Sequence, residues 1–186
     1  MQTTASGEYA TVTTPDEPRS IDLERFLPYR LNAVASLVSQ SLSRVYSRRY
    51  GIGVPEWRVL VTLGQFGMMS GKAVGAHSYM HKTKVSRAVA VLEKRRLVGR
   101  KPNATDMREV LFSLTPAGLA LYREVTPIAL RFADRLADAL QPSDRSALDR
   151  IIERLTQRSI DLAAEMAAEE AEICGRASNS ARENAA

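Results

Sequence analysis

The segment SGKAVGAHSYMHKTKVSRAVAVLEKRRLVGRKPNATDMREVLFSL, residues 70–114, decides the fold of this chain. Its first half has the spacing of a short helix capped by Ser70, a tight turn and a second helix. The apolar stripe of the second helix consists of Val85, Ala88, Val89 and either Val91 or Leu92. The second half predicts two strands, residues 97–101 and 109–114, joined by a turn-rich tip. Because a two-stranded ribbon is unstable alone, the hairpin must pack on the helices before it.

Helices are predicted on both sides of this segment. Upstream, apolar residues recur in steps of three and four over residues 23–50, and Pro28 indicates that the regular helix starts near Leu27. A shorter helix over residues 55–66 follows, and its inward side chains are Trp57, Val59, Leu60 and Leu63. The expected fold is therefore mainly α with a small β-wing.

Downstream, Thr115 is suited to cap a helix that continues to about residue 140. Pro127 lies inside this helix and predicts a kink near Arg123. Ser143 is suited to cap a last helix, which the composition predicts to fray after about Cys174.

Positive charge is concentrated in the middle of the chain. The 186 residues carry a net charge of +5, yet residues 77–108 alone hold nine basic residues against two acids, Glu93 and Asp106. From residue 161 onwards acids predominate. A basic excess confined to a helix and the hairpin after it is typical of a surface that binds the phosphates of double-stranded DNA. An exposed helix can reach base edges in the major groove, and a hairpin can place a cation along the minor groove.

Several classes of protein are excluded or disfavoured. The apolar fraction of 45% suits a globular core, and no apolar run approaches the ~18 residues of a membrane span. The N-terminal residues lack the pattern of a secretory signal, and the only cysteine is Cys174, so we expect a cytoplasmic protein without disulfides. No catalytic motif is found, and His77 and His81 flank a predicted turn, so we expect neither an enzyme nor a cofactor or metal site.

Five short motifs carry a family resemblance. They are PEWRVL at 55–60, KTKVSR at 82–87, LE and LV with an arginine at 92–100, DMR at 106–108, and LTPAG at 114–118. In this order they resemble the MarR-type winged helix-turn-helix transcriptional regulators, over residues 23–162.

The resemblance implies a homodimer whose first helix and last two helices intertwine. It divides the chain into a flexible tail (1–20), a dimerisation helix (21–54), a winged helix-turn-helix (55–114), dimerisation helices (115–174) and a flexible tail (175–186). It places five residues on the recognition helix, namely Lys82, Thr83, Lys84, Ser86 and Arg87. Arg100 and Lys101 belong to the basic hairpin. In the wing motif Asp106 is expected to hold the turn and Arg108 to reach DNA, although the two could instead form a surface ion pair.

One position departs from the family pattern. The family usually has a glycine just before the first strand, where this chain has Arg96. Because glycine adopts a left-handed backbone freely and arginine does so at a cost, the end of the recognition helix is expected either to be shaped differently or to gain a phosphate contact.

A second resemblance concerns the ligand. The stretch FLPYRLN at 26–32, together with the sequence around Trp57, resembles the branch that senses aromatic acids or their coenzyme A thioesters, notably hydroxycinnamoyl compounds. The phosphates of such a ligand need cations, which the first helix offers in Arg30, Arg44, Arg48 and Arg49. Its aryl group needs an apolar slot, for which the candidates are Trp57, Phe66 and Met68. A position in the core is nevertheless favoured for Trp57 over a ligand contact. For Arg44, Arg48 and Arg49 the favoured interpretation is that they are solvated or paired with acids of a partner chain.

The favoured function is a dimeric transcriptional repressor that a small aromatic ligand releases from a near-palindromic DNA operator. An architectural nucleic-acid-binding protein without a ligand switch is the alternative. A protein-interaction module is a third possibility, but it would leave the basic wing unexplained.

Overall fold

The computed structural model describes residues 20–183, with side chains described through residue 173. Over this range the elements are α1 (Leu27–Tyr50), α2 (Val54–Phe66), β1 (Met69–Ser70), α3 (Gly71–Ser78), α4 (Lys82–Lys94), β2 (Val98–Pro102), β3 (Val110–Leu114), α5 (Pro116–Ala137) and α6 (Pro142–Glu183). The predicted tail 1–20 lies outside the described residues, apart from its last residue. The chain divides into two compact units, residues 1–119 and 120–186.

The core of the first unit lies among α2, α3 and α4. The four predicted inward residues of α2 are all buried. On α4 the ambiguity of the stripe is resolved: Leu92 is fully buried, whereas Val91 is 43% exposed. Near the end of α1, Tyr46 is buried and its ring stacks on Trp57 with 5.2 Å between the ring centroids. The predicted apolar spacing of α2 and α4 is therefore confirmed by burial.

The sheet contains the predicted hairpin and one additional strand. The order is β1-β3-β2 and both pairings are antiparallel. In the hairpin Val98 pairs with Leu114 and Pro102 with Val110, as the two-strand prediction requires. The additional strand, β1, was not predicted from the sequence; its Met69 pairs with Phe112. A strand of two residues is too short to show an alternating pattern.

The caps of three helices were predicted, and two of them are confirmed. The Ser70 hydroxyl accepts from the backbone N–H of Ala73 at 3.3 Å, and the Thr115 hydroxyl accepts from that of Gly118 at 3.0 Å. The prediction that Ser143 caps the last helix was wrong. That helix already begins at Pro142, whose fixed φ suits a first helical position, and the N–H of Asp144 bonds the Gln141 carbonyl at 2.9 Å.

The extents of the long helices agree with the prediction at the start of the chain and differ from it at the end. Helix α1 begins at Leu27, with Pro28 in its first turn. Helix α5 contains Pro127 and ends at Ala137, somewhat before the expected end. Helix α6 continues to Glu183, beyond the predicted fraying point at Cys174.

The end of α4, the start of β2 and the start of α5 meet at the Leu97 carbonyl. This oxygen accepts from the Thr115 N–H at 3.0 Å and from the Thr115 hydroxyl at 3.2 Å. The same hydroxyl donates to the Arg96 carbonyl at 2.7 Å. Gly118 lies so close that a Cβ there would overlap the Leu97 carbonyl oxygen. The LTPAG motif is therefore explained by a helix that starts directly against the beginning of β2.

Arg96 adopts the backbone conformation that glycine would, with φ +58°. The N–H of Leu97 bonds the Leu92 carbonyl at 2.9 Å, and the N–H of Arg96 bonds the Glu93 carbonyl at 2.8 Å. These two bonds form a Schellman motif, which closes a helix on a left-handed residue. The expectation of a differently shaped helix end was therefore wrong, because these hydrogen bonds hold arginine in the strained region.

Replacing Arg96 by glycine is expected to stabilise the protein. Arg96→Gly removes the strain of a left-handed non-glycine residue and should raise the free energy of unfolding by about 1 kcal/mol. Gly51→Ala is the reciprocal control, since Gly51 has φ +61° and no heavy atom within 4 Å of an added Cβ. It should lower the same free energy by a similar amount, measured by urea denaturation. Equal stability of Arg96→Gly and the parent protein would contradict the strain.

Alkaline pH is expected to destabilise the first unit through Tyr46. Burial raises the pKa of the Tyr46 phenol from 10.0 to about 12, and the opposing effect of Arg58 is smaller. Between these pH values the folded state retains a proton that the unfolded state releases, so stability falls as the pH rises from 10 towards 12. Tyr46→Phe removes the ionisation and should flatten this part of the denaturation profile. An unchanged slope in Tyr46→Phe would assign the alkaline loss to other groups.

Candidate nucleic-acid interface

The outward face of α4 consists of the five residues that the sequence assigned to the recognition helix. Because Val85, Ala88, Val89 and Leu92 bury the opposite face, Lys82, Thr83, Lys84, Ser86 and Arg87 are left exposed. The exposed side is thus polar and basic along the first turns of the helix. Such a face can donate hydrogen bonds to phosphates and to base edges.

The turn between α3 and α4 fixes where this face begins. Tyr79 adopts a left-handed conformation with φ +52°, and the N–H of Met80 returns to the Gly75 carbonyl at 3.0 Å. Met80 is buried, which anchors the turn to the core. His81 then caps α4, since its Nδ1 atom accepts from the N–H of Thr83 at 3.4 Å. The sequence did not predict this cap, because histidine is an uncommon residue at that position.

The tip of the hairpin is ordered by its own side chains. The Asp106 carboxylate accepts from the backbone N–H of Arg108 at 3.0 Å, and the Asp106 carbonyl accepts from the N–H of Glu109 at 2.9 Å. Asp106 therefore holds the turn through the backbone, which favours the ordered tip over a surface ion pair with Arg108. Arg108 itself is exposed.

The sequence interpretation missed a hydrogen-bond network at the tip that joins Asn103, Thr105 and Glu109. The Asn103 amide nitrogen donates to Glu109 Oε2 at 2.8 Å, and its oxygen accepts from the N–H and the hydroxyl of Thr105 at 3.1 and 2.8 Å. The backbone N–H of Asn103 also bonds the Glu109 carbonyl at 2.9 Å. An asparagine two residues before a threonine in a turn was the available signal.

Arg100 is engaged within the protein. Its Nε atom lies 3.2 Å from Glu93 Oε1, and the Glu93 side chain is largely covered. The pair connects the last turn of α4 to β2. Since Glu93 already partly neutralises Arg100, this arginine has less charge to offer a phosphate than Lys101 or Arg108, which are both exposed.

A cleft of about 1320 Å³ lies between α3, α4 and the hairpin. Four of the nine predicted DNA-contacting residues line it, namely Lys82, Ser86, Arg100 and Arg108. Val85, Val89 and Phe112 form part of its apolar lining. The structure thus brings cations of the helix and of the wing to a single concave surface.

The predicted ligand residues are not gathered in this way. Trp57 is buried against Tyr46, as expected from the interpretation that Trp57 is a core residue. The ring of Phe66 stacks on His77 at 4.2 Å, and Phe66 and Met68 are both about half exposed. Arg30, Arg44 and Arg48 are exposed along α1. A ligand role for all of these residues stays a prediction.

A smaller cavity of about 280 Å³ lies elsewhere in the first unit. Its lining consists of Asn32, Ala35, Ser36, Ser39, Gln40 and Arg58. The sequence interpretation did not single out Arg58, which follows Trp57 directly and also donates to the Ser78 carbonyl at 3.5 Å. Within the part of the chain that the structure describes, no group of three or more His, Cys, Asp or Glu side chains could hold a metal ion. Likewise, none of the described helices is long and apolar enough to cross a membrane.

The family model described as "MarR family" matches residues 50–109. This segment runs from the end of α1 to the end of the wing tip, and it therefore contains the recognition helix and the basic residues that line the cleft. None of the curated proteins compared with this chain matches its sequence.

Solved structures of the same fold are numerous. A MarR/EmrR family transcriptional regulator from Acinetobacter sp. ADP1 is 23% identical, with a TM-score of 0.69 over 74% of this chain and 97% of that one. Sco3205 of Streptomyces coelicolor, a MarR family regulator solved in complex with DNA, is 26% identical, with a TM-score of 0.66 over 76% of this chain and 91% of that one.

A third similar structure is that of BpsR from Bordetella bronchiseptica, whose DNA binding is regulated by 6-hydroxynicotinic acid. It is 22% identical, with a TM-score of 0.58 over 68% of this chain and 98% of that one. Residues 50–109 of this chain thus match the MarR family model, and the chain shares the fold of MarR family transcriptional regulators.

Proposed function

We propose that this chain is a dimeric, sequence-specific DNA-binding transcriptional regulator, a repressor that a small aromatic ligand releases from its operator. The observation that carries the proposal is the cleft between α4 and the hairpin, where Lys82, Ser86 and Arg108 meet within a MarR-family winged helix. A DNA complex of a structure with the same fold, that of Sco3205, supports this use of the surface. Such a regulator acts on DNA in the cytoplasm.

The proposed DNA contacts divide into two kinds. Lys82, Lys84 and Arg108 are suited to phosphates, which position the protein and make its affinity depend on salt. Thr83, Ser86 and Arg87 stand on the exposed face of the recognition helix, where Arg87 could bond a guanine base edge or another phosphate. Sequence reading is therefore assigned to α4, and general affinity to both α4 and the wing.

The proposed dimer is supported by apolar surface on each unit. On α1 the side chains of Leu31, Val34 and Leu37 are exposed, and on α6 those of Ile151 and Leu162 are exposed. Exposed apolar side chains at helical spacing are typical of an interface between subunits. A two-fold dimer presents two recognition helices to successive major grooves about 34–36 Å apart, which explains why a near-palindromic operator is expected.

The proposed effector is an aromatic acid or its coenzyme A thioester, of the hydroxycinnamoyl class. The regulation of BpsR by 6-hydroxynicotinic acid supports an aromatic acid as the kind of ligand that this fold accepts. Arg30, Arg44 and Arg48 offer exposed cations for the phosphates of a thioester. The ligand can release DNA only if it binds more tightly to a conformer whose recognition helices no longer match the grooves.

Removing the wing arginine is expected to weaken DNA binding and its dependence on salt. Arg108→Ala should lower the slope of log affinity against log salt by about one contact per protomer, because Arg108 is exposed at an ordered tip. Arg100→Ala should lower this slope by less, because Arg100 is paired with Glu93. Both slopes are measured by fluorescence anisotropy on a duplex that the parent protein selects from a random pool.

Arg150→Ala is the matched control for this experiment, since it removes one exposed arginine from α6 and should leave the slope unchanged. If Arg108→Ala has the same slope as this control, the wing does not belong to the interface.

Aromatic thioesters are expected to release the bound duplex. Cinnamoyl-CoA should dissociate the complex, whereas coenzyme A alone should not, because the aryl group provides the apolar contacts. The double variant Arg44→Gln/Arg48→Gln should need a higher thioester concentration while responding normally to the free aromatic acid. Arg150→Gln/Arg154→Gln removes the same charge from α6 and serves as the control.

Two outcomes would correct the proposal. If the complex persists with every aromatic acid and thioester tested, the ligand switch is wrong and an architectural DNA-binding protein is favoured. If the protein is monomeric, or retains no duplex at low salt, DNA regulation by a dimer is wrong.

A further inference from the structure

The last turn of α4 is bound to the end of α1 through the side chain of Arg95. Its Nη2 atom donates to the Tyr50 carbonyl at 2.7 Å, and its Nη1 atom donates to the Gly51 carbonyl at 2.9 Å. The bonded residues are 45 and 44 positions apart in the sequence. One guanidinium group therefore ties the recognition helix to the first helix.

The chemistry of these two bonds is favourable. The last carbonyls of a helix have no partner within the helix, and a cation near that end is attracted by the helix dipole. Helix α1 ends at Gly51, whose left-handed backbone turns the chain away and whose N–H bonds the Ser47 carbonyl at 2.9 Å. The planar guanidinium offers two donors in a fixed geometry, so it specifies an orientation as well as a distance.

A second contact holds the same end of α1 to a different helix. Tyr46, one turn before Tyr50, is buried and stacks on Trp57 of α2. A single contact would leave α1 free to pivot about it, whereas contacts to α2 and to α4 together fix its direction. Leu31 and Val34, nearer the start of α1, are exposed, so the restraint is concentrated at the end of the helix.

Arg95 is one of the nine basic residues in the central segment of the sequence. Its backbone N–H closes α4 on the Val91 carbonyl at 3.2 Å, and the next residue, Arg96, is left-handed. The side chain therefore leaves the helix at its very end, where α1 lies within reach. The positively charged guanidinium group of Arg95 donates its hydrogen bonds to carbonyl oxygens of the protein itself.

We propose that Arg95 is a positioning residue that sets the direction of the recognition helix relative to α1, and with it the half-site spacing that the dimer prefers. The inference rests on the proposed function, in which two copies join through α1. Two-fold symmetry repeats any rotation of α4 against α1 in the other subunit, so a small rotation changes the distance between the two recognition helices. Arg95 exerts this effect without touching DNA.

The test compares Arg95→Gln, Arg95→Lys and the neighbouring control Lys94→Gln. The probes are the duplex selected by the parent protein and two copies of it, with the half-site spacing one base pair longer or shorter. Arg95→Gln should lower the affinity for the selected duplex about tenfold and reduce the preference over the altered spacings by a similar factor, since two charge-assisted bonds are lost. Arg95→Lys should show an affinity and a spacing preference between those of the parent protein and Arg95→Gln, because an ammonium group lacks the two paired donors of the planar guanidinium.

Lys94→Gln loses the same charge from the adjacent exposed position, so it should weaken binding to all three duplexes equally and keep the spacing preference. If Arg95→Gln keeps the parent spacing preference, as the control does, the positioning role is wrong. If Arg95→Gln does not fold, the spacing preference of the charge-conserving Arg95→Lys is compared with that of the parent protein instead, and an unchanged preference then contradicts the positioning role. A parent protein that selects no duplex overturns the proposed function instead, before any variant is made.

Discussion

The Leu97 carbonyl oxygen is the point on which the geometry of the winged helix depends. It accepts two hydrogen bonds from Thr115 while Gly118 lies against it, so the end of the recognition helix, the start of β2 and the start of α5 must meet there. Because the connection from α4 to β2 is so short, Arg96 has to be left-handed, and the hairpin then emerges at a set direction from α4. The basic cleft between helix and hairpin is a consequence of this arrangement.

The sequence predicted the helices and the hairpin because each has a periodic pattern long enough to recognise. It failed where structure depends on single residues or on contacts distant in sequence. The two-residue strand at Met69 has no period of its own and exists only because β3 is beside it. For α6 the sequence offered two acceptable starts one or two residues apart, after a cap at Ser143 or at Pro142 itself, and the structure has the latter.

The candidate interface was likewise predictable where a periodic pattern fixes it and unpredictable where contacts distant in sequence decide. The recognition face of α4 was predictable because the apolar stripe fixes which side chains point outward. The internal use of Arg95 and Arg100 was not, because a list of basic residues cannot show which of them meet a carbonyl or a carboxylate. The basic segment thus contains cations that hold the protein together as well as cations left for a partner, and only the fold separates them.

The hydrogen bonds at the wing tip bear on the thermodynamics of association. Asn103, Asp106 and Glu109 give the tip its shape before any partner arrives, so the loss of conformational entropy there accompanies folding of the protein. A tip ordered only on contact would bring the large negative heat-capacity change of coupled folding to the complex. Because the tip of this chain is already ordered by these bonds, no such folding contribution is expected from the wing when a partner binds.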